Sequence, residues 1–211
     1  MYRKYVKRIL DIVLSGSAIL TFLPLFAVIA IWIKLDSPGP VFFRQTRIGI
    51  HKTTFEILKF RTMKKDAPSD VPTHLLSDSE VWITKAGRIL RKTSLDEIPQ
   101  VWNIWEGKMS VIGPRPALWN QDDLVAERDK YGANDVRPGL TGWAQINGRD
   151  ELEIPVKAKL DGEYVKKLRQ GGLRAFAFDC RCFIGTIFSV ARGDGVVEGG
   201  TGELHKRADS K

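Results

Sequence analysis

Cysteine is scarce in this chain, which has two cysteines, Cys180 and Cys182, among 211 residues. A chain of this length with so few cysteines has no disulfide framework. At a spacing of two residues the two thiols point to different faces of a helix, so we do not expect a bond between them. The spacing also matches no common zinc-binding pattern. We therefore expect buried or interfacial thiols in a reducing compartment.

Three other signals are absent from the sequence. No small-residue cleavage site follows the first apolar run, so we interpret that run as part of the mature protein. There is no internal repeat, and no nucleic-acid-binding motif is present. The formal net charge of +8 favours an anionic partner such as nucleic acid, anionic lipid or a phosphorylated substrate, although an ordinary solvated basic surface explains it equally well.

The first part of the chain is almost wholly apolar over residues 9–33, where Asp11 is the only ionisable residue. As one straight helix this run would be about 37 Å long, enough to cross a hydrocarbon core of about 30 Å. Pro24 lies inside the run and removes a backbone donor. A break there leaves limbs of about 22 Å and 15 Å, each too short to span.

Basic residues flank both ends of the apolar run, whereas a spanning helix normally shows a bias toward one side. We therefore predict a re-entrant helix–break–helix that enters one leaflet at Pro24 and returns, with both ends cytoplasmic. A single spanning helix remains the alternative, and the accessibility of a tag on the N-terminus distinguishes the two. The flanking residues are Arg3, Lys4, Lys7 and Arg8 before the run, and Lys34, Arg44, Arg47, Lys52, Lys59, Arg61, Lys64 and Lys65 after it.

The remaining pattern predicts an α+β fold that is mainly helical, with a few short strands. We divide the chain into a membrane anchor at 1–35, a cytosolic catalytic domain at 36–192 and a flexible tail at 193–211. Predicted strands cover 41–47 and 54–60, and predicted helices cover 81–92, 94–105, 118–131, 155–168 and 173–192. The last helix is rich in phenylalanine and suits either an amphipathic interfacial helix or a buried core helix.

The adjacent carboxylates Asp96 and Glu97 are the first candidate for chemistry. Ser94 and Glu97 have the spacing of a capping box, so Glu97 could simply hold the helix start. Near a helix N-terminus the dipole should lower the pKa of Asp96 and attract anions. A carboxylate nucleophile must be ionised and adjacent to the group it attacks. Mg²⁺ typically uses one or two carboxylates together with substrate phosphates.

Three further motifs present cationic or polar groups. In Gly113-Pro114-Arg115-Pro116, two prolines fix the backbone around an arginine suited to bidentate phosphate binding; a tight turn is the alternative. Lys59 and Arg61 share one strand face, where they either neutralise phosphate or protect a strand edge. Residues 135–149 are rich in glycine and donors and could wrap a polar ligand, or form an irregular structural loop.

Together these pieces resemble the bacterial sugar transferase family, the monotopic polyprenyl-phosphate phosphoglycosyl transferases, from about Lys7 to Val190. Six motifs occur in the family's order, which is far more specific than any one of them. They are Lys7-Arg8-x-x-Asp11, Leu35-Asp36-Ser37-Pro38-Gly39-Pro40-Val41-Phe42, Lys59-Phe60-Arg61-Thr62-Met63, Ser94-Leu95-Asp96-Glu97-x-Pro99-Gln100, Gly113-Pro114-Arg115-Pro116 and Arg137-Pro138-Gly139-x-Thr141-Gly142.

The resemblance implies a reaction in which a UDP-sugar donates its sugar-1-phosphate to undecaprenyl phosphate and releases UMP, to initiate assembly of a surface glycan. It implies that Asp96 is the nucleophile, forms a covalent phosphosugar intermediate and holds Mg²⁺, and that Glu97 supports catalysis. The implied phosphate-binding residues are Lys59, Arg61, Arg88 and Arg115, and the implied nucleotide- or sugar-binding residues are Arg137, Thr141, Gln145, Asn147, Arg149, Asp161 and Tyr164.

The resemblance also implies a location on the cytoplasmic face of the bacterial inner membrane. The residue pattern adds contact with anionic lipid and no nucleic-acid partner as expectations, and a homodimer is one open oligomeric state. The chain departs from the family at Leu23-Pro24, where a Ser-Pro pair is usual, and in a longer segment at 169–172. Two other functions remain open from the residues alone. One is a membrane-bound, metal-dependent phosphohydrolase of nucleotide sugars, and the other is a non-enzymatic basic adaptor.

Overall fold

The computed structural model describes residues 1–67, 79–148 and 152–192. Arg149 and the predicted tail at 193–211 therefore lie outside the described residues, as does most of the polar loop between the second strand and the next helix. The described part is mainly helical with short strands, as the sequence predicts.

A 30-residue helix near the N-terminus comes first, short helices and strands follow it, and two longer helices come last. The helices are α1 (Lys7–Asp36), α2 (Ser79–Trp82), α3 (Lys85–Lys92), α4 (Gln100–Trp105), α5 (Asp122–Asp129), α6 (Ile154–Gln170) and α7 (Gly172–Arg192), and the strands are β1 (Phe42–Ile48), β2 (Thr54–Phe60), β3 (Ser110–Ile112) and β4 (Gly139–Thr141). β1 and β2 form an antiparallel hairpin, and β3 and β4 form a parallel pair.

Helix α1 is continuous, and Pro24 lies inside it. The prediction of two helices separated by a break is therefore wrong at the level of secondary structure. A proline removes one amide donor, and the backbone around Pro24 keeps its helical assignment. The segment Tyr2–Asp36 is long and apolar enough to cross a membrane by length and composition, and only 17% of its most apolar window is buried.

Both ends of α1 are fastened to the same domain. Near its start, the buried carboxylate of Asp11 accepts hydrogen bonds from the Ser110 hydroxyl (3.0 Å) and the Val111 amide (2.9 Å). At its other end, Asp36 accepts a bond from the amide of Ala86 at 3.0 Å. Between these points, one side of α1 packs onto α3, α4 and β2. This apolar cluster contains the buried residues Phe26, Ile29, Ile33, Phe60, Leu90 and Val101.

A buried polar network ties the first residues to α6 and α7. The Asp179 carboxylate accepts hydrogen bonds from the Tyr2 hydroxyl (2.6 Å), the Lys7 ammonium (2.9 Å) and the Tyr164 hydroxyl (3.0 Å). All of these side chains lie in the interior or at its edge. Because a buried carboxylate is stable only when its oxygens are paired, this network fixes the start of α1 against the domain.

Helix α7 has one face in the core and one exposed apolar face. Ala175, Asp179 and Cys182 face the core, whereas large apolar side chains such as Phe183 and Phe188 are exposed on the other side. Both cysteines are free; Cys182 is buried and Cys180 is half-buried. Burial raises the pKa of the Cys182 thiol to about 12, so this thiol stays protonated at neutral pH.

Candidate active site

The segment between α3 and α4 presents the paired carboxylates. Ser94 has a left-handed backbone (φ +56°), and Leu95–Glu97 forms a single 3-10 turn before α4 begins at Gln100. The Ser94 side chain makes no capping hydrogen bond. The predicted capping box and the predicted helix over 94–105 are therefore wrong. The chain reverses at Ser94, and Pro99 lies between the 3-10 turn and α4, which separates the two.

Glu97 binds two cations that come from different parts of the sequence. The Lys59 ammonium at the end of β2 lies 2.8 Å from Glu97 Oε1. The Arg115 guanidinium makes a two-pronged contact, at 2.6 Å to Oε1 and 3.2 Å to Oε2. The three side chains are between 12% and 25% exposed. The structure thus brings Lys59, Arg115 and the carboxylate pair together, as the motifs indicate.

Asp96 is 9% exposed, and its environment differs from the predicted one. Burial raises the pKa of its carboxyl group, and the charge of Glu97 raises it further, while Lys59, Arg91 and Arg115 act in the opposite direction. The predicted lowering by a helix dipole is wrong, because one 3-10 turn has little dipole and desolvation dominates.

The donor set limits the kind of metal site that can form here. Among the described residues, no group of three or more His, Cys, Asp or Glu side chains could hold a metal ion. Glu97 is committed to Lys59 and Arg115, which leaves the Asp96 carboxylate as the protein ligand at this point. This arrangement fits Mg²⁺ bound through one carboxylate and completed by substrate phosphates and water. It does not fit an all-protein cage.

The two arginines of α3 have different environments. Arg88 is exposed and pairs with Glu80 at 3.1 Å, so its predicted role in phosphate binding is not supported by its position. Arg91 lies one turn further on, donates to the Thr62 hydroxyl at 2.9 Å and lowers the pKa of Asp96. Sequence reasoning missed Arg91. Spacing alone does not distinguish the two arginines, because residues three apart are neighbours on a helix surface; only the folded contacts do.

We therefore predict that replacing arginine by glutamine lowers kcat/KM more at position 91 than at position 88. We expect Arg91→Gln to reduce kcat/KM by about tenfold to a hundredfold, because it removes a positive charge acting on Asp96. Arg88→Gln removes the same charge from an exposed pair and should change kcat/KM by less than about threefold, since exposed ion pairs contribute little. Steady-state rates of the two purified variants test this, and equal losses would contradict the assignment.

Arg61 has a structural role rather than the predicted phosphate-binding one. Its guanidinium donates to the carbonyl oxygens of Pro38 (2.7 Å) and Ser37 (2.8 Å), and the residue is 5% exposed. It therefore holds the turn between α1 and β1. Alternation along the strand does not reveal this, because the turn lies some twenty residues earlier in the sequence.

The glycine-rich segment that ends at the described residue Gly148 shows mixed environments. Arg137 is exposed and donates to the Gly107 carbonyl oxygen at 3.0 Å. The Thr141 hydroxyl pairs with that of Thr186 on α7 at 2.6 Å. The Asn147 amide donates to the Trp143 carbonyl oxygen at 2.7 Å. The first two contacts join the segment to Gly107 and to α7, and the third lies within it. Ligand binding by these residues stays a prediction.

Asp161 and Tyr164 were predicted to contact the sugar, and their burial contradicts this. Asp161 is 1% exposed and forms an ion pair with Arg128 of α5 at 2.6 Å. Tyr164 is 2% exposed and donates to Asp179 and to the Ile112 carbonyl oxygen, each at 3.0 Å. Side chains enclosed in this way pack α6 against α5, α7 and β3, and they present no surface to a substrate.

Tyr164→Phe should consequently affect stability and leave substrate binding unchanged. The change leaves the Asp179 carboxylate with fewer donors in the interior, at an expected cost of about 1–3 kcal/mol. Thermal unfolding of the detergent-solubilised chain measures this loss, and the KM for the donor should stay within about twofold of that of the unmodified protein. A large rise in KM without loss of stability would instead support the prediction that Tyr164 contacts the sugar.

Comparison with known proteins identifies the family. A family model described as bacterial sugar transferase matches residues 2–193. The chain belongs to this family. This confirms the resemblance that rests on the six motifs, and the match covers the described residues from the polar network at Tyr2 to the end of α7.

Three curated relatives of this bacterial sugar transferase illustrate the range of similarity. The UDP-glucose:undecaprenyl-phosphate glucose-1-phosphate transferase of Caulobacter vibrioides is 47% identical over 67% of this chain and 54% of its own length. The exopolysaccharide production protein PSS of Rhizobium leguminosarum bv. phaseoli is 38% identical over 90% of this chain and 98% of its own. The UDP-N-acetylgalactosamine-undecaprenyl-phosphate N-acetylgalactosaminephosphotransferase of Aeromonas hydrophila is 36% identical over 77% and 39%.

The chain therefore spans about half or less of the two relatives whose names state a reaction, and nearly all of the Rhizobium protein. The sugars in the two reaction names differ, being glucose in one and N-acetylgalactosamine in the other.

Proposed function

We propose that this bacterial sugar transferase moves a sugar-1-phosphate from a UDP-sugar to undecaprenyl phosphate and releases UMP, and that it thereby initiates assembly of a surface glycan. The single observation that carries the proposal is the buried Asp96 carboxylate, set beside the Lys59–Glu97–Arg115 cluster. The family membership and the reactions named for the relatives support it.

The first half-reaction uses the Asp96 carboxylate as the nucleophile. One of its oxygens attacks the phosphorus that carries the sugar, and the bond from that phosphorus to the bridging oxygen breaks, so that UMP leaves with the electron pair. Lys59, Arg91 and Arg115 provide positive charge around this carboxylate. Phosphoryl transfer depends chiefly on such positioning and charge neutralisation. Glu97 holds Lys59 and Arg115 in place.

In the second half-reaction, a phosphate oxygen of undecaprenyl phosphate attacks the same phosphorus and the Asp96 carboxylate leaves. Splitting the transfer into two steps lets a soluble donor and a membrane-bound acceptor use one small site in turn. We further propose that Mg²⁺ binds at Asp96, where it would neutralise phosphate charge. The fit of the donor set to one carboxylate plus phosphates supports this.

We also propose that α1 enters the membrane from the cytoplasmic face without crossing it. Its attachment through Asp11 at one end and Asp36 at the other supports this, because both attachments reach one domain that must lie on one side of the bilayer. Anionic lipid is the expected surface for its basic flanks, and the bacterial inner membrane is the expected location. A homodimer stays a prediction.

A donor panel with the detergent-solubilised full chain and Mg²⁺ tests the proposed reaction. UDP-glucose and UDP-N-acetylgalactosamine are the first donors, each with and without undecaprenyl phosphate. With the correct donor and no lipid, UMP release should stop near one molecule per chain; with lipid it should continue. Sustained release without lipid would show the phosphohydrolase instead. No release with any UDP-sugar would contradict the proposed function.

A further inference from the structure

A small cavity lies beside the start of α1. Its walls come from the first residues of the chain, the turn of the β1–β2 hairpin, β3, the segment before β4, and α6. Its volume is about 50 Å³. At about 10–15 Å³ for each water-sized position, it has room for roughly four such positions, which suits the oxygens of one phosphate group and is too little for a nucleoside. The charged side chains that line it are Arg3, Lys7, Arg8, Asp11, Asp135 and Arg137.

The three arginines of this cavity bond neutral oxygens. Arg3 donates to the carbonyl oxygen of Asp135 at 2.9 Å. Arg8 donates to two carbonyl oxygens at the C-terminal end of α4, at 2.7 and 2.8 Å, and Arg137 donates to a third just beyond it, at 3.0 Å. In the part of the chain that the structure describes, none of the three forms an ion pair with a carboxylate.

The acidic groups of the cavity are already engaged. The buried Asp11 carboxylate accepts the two hydrogen bonds from β3 described above. The Asp135 carboxylate lies 3.3 Å from the His51 ring in the hairpin turn. Lys7 is the one lining cation with a carboxylate partner among the described residues, because it is paired with Asp179. The cavity therefore has more positive charge than its own carboxylates neutralise.

Two of the guanidinium groups also act on each other. Burial and the nearby charge of Arg137 lower the pKa of Arg8, and Asp11 acts in the opposite direction. An anion bound between the two arginines would remove this repulsion. The planar fork of arginine fits phosphate oxygens in a bidentate contact, and the size of the cavity allows one such group.

The cavity is separate from the catalytic cluster. β1 and β2 are joined by a turn, and Ile50 in this turn lines the cavity. Lys59 lies near the other end of β2, five residues after Thr54. At roughly 3.3 Å for each residue of a strand, that separation is about 17 Å. A group in the cavity is thus away from the phosphate that Asp96 attacks.

The cavity also lies where α1 leaves the domain. Arg3, Lys7 and Arg8 directly precede the apolar run at 9–33, and the side chains of Ile9 and Val13 in that run are more than half exposed. If α1 enters the membrane as proposed, these basic residues lie at the level of the lipid headgroups. Basic pockets at the cytoplasmic end of membrane helices bind lipid headgroups through their phosphates.

We propose that this cavity binds one phosphate group between Arg3, Arg8 and Arg137, and that the group belongs to the headgroup of a membrane phospholipid. The phosphate site rests on the cavity and its arginines, whereas the lipid source rests on the proposed entry of α1 into the membrane. The bound headgroup neutralises the facing guanidinium groups and fixes the depth of the first turn of α1. This lipid is neither the donor nor the acceptor of the sugar phosphate.

Thermal unfolding of the detergent-solubilised full chain at constant ionic strength tests the site. Dihexanoylphosphatidylglycerol should raise the melting temperature saturably, and the concentration dependence gives an apparent Kd; dihexanoylglycerol, which lacks the phosphate, should not. Arg3→Gln should raise this Kd about tenfold, because it removes a charge-assisted hydrogen bond. Lys4→Gln removes the same charge from an exposed neighbour that does not line the cavity, and it should change the Kd by less than about twofold. Arg137→Gln replaces Arg3→Gln should that variant not fold.

Inorganic phosphate, as a third probe, distinguishes the source of the group. Stabilisation by the lipid at concentrations about tenfold below those of phosphate would support a headgroup, whereas equal effects would overturn the lipid source and keep the phosphate site. Equal losses in Arg3→Gln and Lys4→Gln would show a diffuse basic surface and overturn the site. Weaker binding of UMP in Arg3→Gln, by as much as that of the lipid, would place the cavity in the donor site and also overturn the proposal.

The outcomes separate this inference from the proposed function. A protein that releases UMP from a UDP-sugar but gains no stability from the phospholipid would contradict the phosphate site alone. A protein that gains stability in the predicted way but releases no UMP with any UDP-sugar would contradict the proposed reaction alone.

Discussion

Asp96→Asn should reduce turnover by at least about 10⁴-fold, as expected when a covalent nucleophile is removed. The amide has almost the shape of the carboxylic acid, but its oxygen is a poor nucleophile. We expect no burst of UMP when the variant is mixed with donor in the absence of lipid. Rapid-quench measurement of UMP over the first turnover checks this directly.

The substitution should not unfold the protein, which makes the result interpretable. Burial raises the pKa of Asp96, so the folded state already disfavours the charge that asparagine removes. Asp122→Asn makes the same change on the exposed surface of α5 and should retain full activity. Turnover near the normal rate in Asp96→Asn, with the control also active, would show that another group is the nucleophile.

Glu97→Gln should have the second largest effect, and it should act on both rate and stability. Removal of this carboxylate leaves Lys59 and Arg115 partly buried and without their common counter-ion. Breaking a buried ion pair in this way costs about 3–5 kcal/mol at most sites. We expect kcat/KM to fall by about 10²–10³-fold, because the two cations lose their fixed positions beside Asp96.

Formation of the covalent phosphosugar intermediate distinguishes the role of Asp96 from that of Glu97. Glu97→Gln should still accumulate the covalent adduct, slowly, because Asp96 remains, whereas Asp96→Asn should never form it. Glu56→Gln breaks an exposed pair with Arg44 and is the matched control; it should change the free energy of unfolding by less than about 0.5 kcal/mol. A Glu97→Gln variant with unchanged melting temperature and rate would contradict the role that we assign to Glu97, which is to hold Lys59 and Arg115 in place.

The sequence predicted the secondary structure well in segments that follow a single pattern, either strand alternation or helical periodicity. The hairpin of β1 and β2 and the helices α6 and α7 follow from alternation and helical periodicity, and their bounds differ from prediction by no more than two residues. The prediction failed for the segment from Ser94 to Gln100, because the spacing of a capping box is equally compatible with a left-handed residue followed by a 3-10 turn. The partners that decide the matter, Lys59 and Arg115, are distant in sequence.

The site was predictable where a motif carries its own chemistry, as at Asp96, Glu97 and Arg115. It was not predictable where a polar residue could serve either the core or a ligand. Asp161 and Tyr164 resemble binding residues by type, but Arg128 and Asp179 engage them inside the domain. Arg61 bonds a distant turn in the same way. Periodicity does not report such long-range partners, whereas burial in the folded chain does.

The covalent intermediate is the central claim, and intact-protein mass spectrometry tests it most directly. The full chain is incubated with its UDP-sugar donor and Mg²⁺ without undecaprenyl phosphate, quenched in acid and weighed. We predict a mass increase equal to one sugar phosphate, located by digestion to the peptide that contains Asp96, and its loss when undecaprenyl phosphate is added. An unmodified mass during continued UMP release would contradict the account.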